Sequence, residues 1–213
     1  MKTVKIKKGW QFKIVGQPSN RLTDCPAGQH IAFVADKLSF TKPRLLVQKG
    51  DQVLIGSVLF EDKKHPDFKF LSPGCGFISD ITYGPRRVVH EIIIKIEDSE
   101  SHEAFNVFSD ARLEQTDRKT LISELMTGGL WPLIHQLPFG QIADPGSMPN
   151  GVWVCLGSAD PFQPSAYVYL KGQEDFFEFG LKALRRLVDT VNISGYVEPV
   201  NQKSSASNIA THR

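Results

Sequence analysis

The chain has 213 residues, 41% hydrophobic and 23% charged, a balance that lets a globular chain bury a core in one large domain or two small ones. A formal net charge of +2 excludes a strong electrostatic pull toward nucleic acid, and no partner of that class is expected. The 3 cysteines, Cys25, Cys75 and Cys155, are too scattered for a disulfide framework or a metal knuckle, and they suit a reducing compartment.

The opening residues are charged and lack an apolar stretch, so they do not read as a signal peptide. Val4 and Ile6 alternate with Lys5 and Lys7, which predicts a first strand at 3–7 whose lysines (Lys2, Lys5, Lys7, Lys8) form its solvated face. An anionic surface is the alternative use of that cluster. Further strands are predicted at 12–15, 30–34, 57–61, 68–71, 77–81 and 88–96. Gly16-Gln-Pro18, Lys49-Gly50-Asp51, Pro73-Gly74-Cys75-Gly76 and Tyr83-Gly84-Pro85 provide turns between them. Many short strands broken by Gly and Pro predict a small barrel or sandwich over 1–97.

Residues 98–116 are polar and charged and read as a linker. A helix is predicted at 117–126, with Leu121, Ile122, Leu125 and Met126 on one face, Asp117 at its start and Gly128-Gly129 at its stop. The region 117–150 then reads as this helix plus a Pro-rich connector. The stretch 125–143 carries no formal charge, but a membrane span needs about 20 predominantly apolar residues in a continuous helix. Pro132, Pro138, Gly128, Gly129 and Gly140, together with polar His135, Gln136 and Gln141, rule that out. The chain is therefore expected to be soluble or peripheral to a membrane. From Gly151 a buried strand (151–156), a second strand (167–170), a helix (174–189) and a strand (191–194) predict the start of an α/β domain at 151–195. Its few strands suggest a domain cut short. The tail, 196–213, is rich in Ser, Asn and Gln and is expected to be disordered.

Two segments carry most of the information. The first reads V-x-K-G-D-x-V-x-x-G-x-x-L-F-E-D-K-K from Val47 to Lys64, followed by Pro73-Gly74-Cys75-Gly76-Phe77-Ile78. Gly50, Asp51, Gly56, Leu59, Pro73, Gly76 and Ile78 stand where the flattened barrel of biotinyl and lipoyl domains, which this segment resembles, has its turns and crossings. Such carriers hold their cofactor on a lysine at a hairpin tip, and Lys63 or Lys64 is the position to test. Two adjacent lysines before His65-Pro66 break the symmetry of a carrier tip, so a solvated hairpin is the simpler reading.

The second segment is Gly128-Gly-Leu-Trp-Pro-Leu-Ile-His-Gln-Leu-Pro-Phe139 with Ile142-Ala-Asp-Pro145. Together with Lys7-Lys8-Gly9, Gly50 to Lys64 and Lys171-Gly-Gln-Glu-Asp-Phe176, it resembles the N-terminal part of NqrA, a component of the sodium-translocating NADH:quinone oxidoreductase (Nqr). The related RnfC proteins share the layout but carry ferredoxin-type cysteine runs that are absent here. The resemblance spans most of 1–188. His135 and Leu137 stand where that family carries arginines, and the family continues about as long again past this chain's end.

The resemblance implies a mixed α and β chain, a biotinyl/lipoyl-like barrel-sandwich domain followed by an incomplete, Rossmann-like α/β domain. It also implies a peripheral subunit on the cytoplasmic side of the bacterial inner membrane, docked on the other Nqr subunits and chiefly on the membrane component NqrB. The complex oxidises NADH, passes electrons through flavins and iron centres held elsewhere, reduces ubiquinone and exports sodium. No catalytic, cofactor-binding or metal residue is expected in this chain. Consistently, the sequence holds no G-x-G-x-x-G after a strand, no P-loop, no H-E-x-x-H and no G-x-S-x-G. His90-Glu91 and His102-Glu103 invite an acid–base reading, but polar side chains facing solvent from a strand and a linker are the simpler one. Cys75 sits in a Gly-rich turn that can expose a thiol, without a basic neighbour to activate it. Trp131 to Phe139 reads as a rigid apolar connector or docking surface, with quinone contact as the alternative. A biotin- or lipoate-type carrier and a stand-alone quinone-binding protein remain the rival classes.

Overall fold

The computed structural model describes residues 14–16, 18–26, 28–98, 100–157, 162–194 and 209–212, the last four by their backbone alone. The strand predicted at 3–7, the opening lysines, and residues 196–208 and 213 of the tail lie outside the described residues. The chain divides into two compact units, one of Pro26–Phe108 with Thr116–Ser147, the other of Met1–Cys25, Ser109–Gln115 and Met148–Arg213. Ile14 and Val15, the described end of the strand predicted at 12–15, are exposed and belong to no strand. Neither has a partner strand among the described residues.

The first unit begins with β1 (His30–Val34), β2 (Pro43–Leu45), β3 (Gln52–Val53), β4 (Val58–Asp62), β5 (Lys69–Leu71), β6 (Gly76–Tyr83) and β7 (Val89–Ile96). They form two antiparallel sheets, β1-β7-β6-β3 and β2-β4-β5. Side chains from both sheets share one core. Phe33 of β1 meets Phe60 of β4 edge-on at 5.2 Å, and Phe60 stacks on Phe70 of β5 at 4.6 Å. Leu59, Ile78, Ile92 and Ile94 are fully buried around them. Aromatic pairs of this geometry add about 0.5–1.5 kcal/mol beyond their buried area, so the cluster is a principal tie between the sheets.

The Lys49-Gly50-Asp51 motif forms the expected turn. The Asp51 carboxylate accepts the Gln48 N–H at 2.8 Å, and Gly50 takes φ +95° and donates to the Ile78 carbonyl at 2.8 Å. The predicted linker is partly structured. Ile55 forms a parallel bridge with His102, and the Phe105 ring lies against Gly56, where a Cβ would meet it at 2.7 Å. Further along it, α1 (Asp110–Gln115) forms in the second unit. Its single buried side chain, Leu113, is too weak a periodic signal to read as a helix from sequence.

Helix α2 (Arg118–Thr127) forms as expected, and both ends are capped by the residues that mark them. Asp117 accepts the Lys119 and Thr120 N–H groups at 2.9 and 3.1 Å. At the other end Leu130 N–H reaches the Leu125 carbonyl at 2.8 Å and Gly129 N–H reaches Met126 at 3.1 Å, with Gly129 at φ +66°. That is a Schellman stop, and it needs a residue tolerant of left-handed backbone. A short hairpin, β8 (His135–Gln136) with β9 (Gln141–Ile142), follows.

In the second unit, β10 (Val152–Cys155) pairs parallel with β11 (Val191–Ser194), and α3 (Ala166–Leu170) and α4 (Glu174–Leu187) lie between them in sequence. This is the predicted βαβ arrangement, with two corrections: the first strand, expected to be buried, leaves Trp153 and Cys155 exposed, and 167–170 is helical. Tyr167, Val168 and Tyr169 favour strands, but the Pro164-Ser165 start and the Lys171 N–H bond to the Tyr167 carbonyl at 3.2 Å set a helical turn that leads into α4. A third parallel strand, β12 (Ile209–His212), pairs with β11 within the tail predicted to be disordered. Sheet pairing supplies the order that the local composition does not.

Candidate interaction surface

The Gly129 to Pro145 segment builds the most distinctive surface of the first unit. Trp131 is its anchor: the indole is buried and its Nε1–H donates to the Ala143 carbonyl at 2.9 Å. That bond joins the start and end of the segment, and the Ala143 N–H returns one to Ile134 at 2.8 Å. The hairpin between them is pinned at its tip by Gly140, whose N–H reaches the Gln136 carbonyl at 3.0 Å. The tip itself is Leu137-Pro138-Phe139, with a cis Leu137–Pro138 bond. Leu137 is 84% and Phe139 72% exposed, and Leu133 beside them is 72% exposed. Scattered exposed apolar residues are ordinary, but Leu133, Leu137 and Phe139 clustered on one hydrogen-bonded hairpin make it a candidate interaction surface.

A cleft of about 510 Å³ adjoins the hairpin. Gln136, Gln141 and Ile142 line one side, Phe40, Phe68 and Met126 give apolar walls, and Lys42, Lys64, His65, Asp62, Asp67 and Asp144 set its polarity. Asp62 is buried and accepts the Lys42 N–H at 2.9 Å, so its charge is already committed to the backbone. Lys63 and Lys64 are both exposed in the connection between β4 and β5. Their connection is broad: Phe68 is buried, its N–H bonds the His65 carbonyl at 2.9 Å, and the His65 ring lies 5.2 Å from the Phe68 ring. Lys63 N–H is tied to the Lys42 carbonyl at 2.9 Å.

The remaining candidates separate. His90 is exposed and its Nδ1 lies 2.5 Å from Asp36 Oδ2, while His102 is exposed in the bridge to Ile55. Glu103 accepts the Ser57 hydroxyl at 2.7 Å, which pins the linker to the start of β4. Cys75, read as a thiol that its turn can expose, is buried under the β-sheet core. Among the described residues no three His, Cys, Asp or Glu side chains converge as a ligand set. Among them too, no helix is long and apolar enough to cross a membrane. Sequence reasoning missed the cleft, because Phe40 and Phe68 come from two separate connections and Ile142 from strand β9, and they share no local pattern.

Residues 4–97 match the NqrA N-terminal barrel-sandwich hybrid domain, and residues 116–213 match the NqrA second alpha/beta domain. The A-subunit of the Na(+)-translocating NADH-quinone reductase from Yersinia pseudotuberculosis serotype O:1b is 35% identical over 186 residues, covering 87% of this chain and 41% of that protein. Its counterpart of the same name from Saccharophagus degradans is 33% identical over the same shares, and that from Klebsiella pneumoniae 32%. The chain thus spans about two fifths of the length of these curated relatives. With residues 4–97 and 116–213 matched in order to two domains of one family, the chain belongs to the NqrA family.

Proposed function

We propose that this chain is a cofactor-free, peripheral component of a sodium-translocating NADH:quinone oxidoreductase, docked through the 129–145 hairpin on the cytoplasmic face of the bacterial inner membrane. The observation that carries this is the rigid, outward-facing Leu137-Pro138-Phe139 tip, held by Trp131 at its base. The membrane component NqrB is the partner of choice, with the flavins, iron centres and NADH site on other subunits. Burying Leu137 and Phe139 in a partner contributes about 1.5–3 kcal/mol each. An exposed arginine–carboxylate ion pair contributes only about 0–1 kcal/mol. Docking therefore does not depend on the arginines that the family carries where this chain has His135 and Leu137.

Co-purification from membranes holding the other subunits tests this. The tagged chain is expected to recover NqrB, and Leu137→Asp/Phe139→Asp is expected to lose it while unfolding at the same temperature as the parent. Undiminished recovery by that variant would move the docking surface elsewhere.

The adjoining cleft supports a second role, contact with the quinone headgroup. Its volume is in the range of small-molecule sites, and it offers Phe40 and Phe68 faces beside Lys42 and His65 donors. Equilibrium binding of a short-chain ubiquinone to the chain, lost in Phe68→Ala, is the expected result. Absence of saturable binding removes this role and leaves docking untouched.

A further inference from the structure

The β6–β7 connection is a second unusual surface. Arg86 and Arg87 both adopt left-handed backbone, each at φ 58°. Only glycine enters that region without cost, and two adjacent arginines there are uncommon. The tip is closed by Gly84 N–H to the Val88 carbonyl at 2.8 Å, so the conformation belongs to the hairpin and is not an open loop. Backbone held in this way tends to aim side chains at a partner.

The chemistry of the tip is one-sided. Tyr83 to Val88 contains no acid, and neither arginine makes an ion pair among the described residues. Of the carboxylates near the tip, Asp80 is held by Lys49 at 3.1 Å and Asp36 by His90, and Glu91 lies half-buried in β7 opposite Thr82. Tyr83 and Val88, flanking the arginines, are about half exposed. Two free guanidinium groups between an exposed tyrosine and an exposed valine suit the headgroup layer of a bilayer, where charge meets lipid phosphate and the ring and methyls lie at the acyl boundary. A protruding tip can enter that layer. An acidic protein would need a matching concavity.

From this juxtaposition we infer that the β6–β7 tip seats on the surface of an anionic phospholipid bilayer. The inference is independent of the hairpin docking argued above, since it uses other residues and needs no partner protein. Flotation of the 213-residue chain with phosphatidylcholine vesicles, with and without phosphatidylglycerol, tests it. Binding is expected only with phosphatidylglycerol, to fall with salt, and to drop about fivefold for each arginine neutralised, hence about 25-fold in Arg86→Gln/Arg87→Gln. Arg86→Lys/Arg87→Lys is expected to keep most of it. Lys95→Gln/Lys119→Gln, which removes the same charge from other exposed positions, is expected to bind as the parent does. Equal loss in both neutralised pairs would reduce the effect to net charge and overturn the site. So would binding to polyglutamate with no binding to the vesicles. Circular dichroism of each variant excludes unfolding as the cause.

Discussion

At Gly76 the backbone lies at φ +153°, and a methyl group there would collide with the Lys95 carbonyl, its neighbour across the β6–β7 pair. Gly76→Ala must push two core strands apart, so it is expected to cost at least about 3 kcal/mol by chemical denaturation. Arg86 and Arg87 present the opposite case. Glycine relieves the left-handed strain but adds chain freedom to the unfolded state, so Arg86→Gly is expected to stabilise by about 0.5 kcal/mol. Asp117 carries a pH signature. Hydrogen bonds from the Thr120 hydroxyl and amide hold its carboxyl below the usual aspartate range. A depressed folded pKa contributes stability above the unfolded value of about 3.9, lost as pH falls through the folded one. The parent is therefore expected to exceed Asp117→Asn in stability near neutral pH and to lose that advantage in acid, as read by urea titration at both. The glycines at 50, 56 and 76 were legible in the sequence because their spacing matches a known barrel. The arginine tip was not, since nothing in Arg-Arg signals positive φ.

Among elements, the hairpin at 135–142 and helix α3 show where local pattern fails. Strands β8 and β9 are two residues each and mostly polar, so neither periodicity nor propensity marks them. What orders them is the Trp131 anchor, a tertiary contact. Trp131→Phe keeps one aromatic ring but leaves the Ala143 carbonyl without its indole donor and a gap where the buried indole packed, at an expected cost of more than about 1 kcal/mol. The same variant is expected to increase amide exchange across 134–143 more than elsewhere in the chain, which hydrogen-exchange mass spectrometry reads. The long elements were legible: β7, α2 and α4 appear within a residue or two of their expected bounds, because each carries several apolar positions at one period. Helix α3 was misread as a strand for want of length.

For the whole molecule, the fold class followed from two signals that agree, turn glycines in the first unit and the strand–helix–strand order in the second. The candidate surface followed only in part. The Trp-Pro segment stood out as apolar, but the outward direction of Leu137 and Phe139 is set by the fold around Trp131. Because this tip is uncharged, docking through it is expected to persist at salt concentrations that screen surface ion pairs. The most direct test places a photo-crosslinking phenylalanine analogue at position 139 in cells that make the other Nqr subunits. Docking through the hairpin predicts a covalent product with a membrane component of the complex, NqrB foremost, and none from the same analogue at Phe105, which packs on Gly56. A folded chain that crosslinks to no Nqr subunit from position 139 would contradict the account.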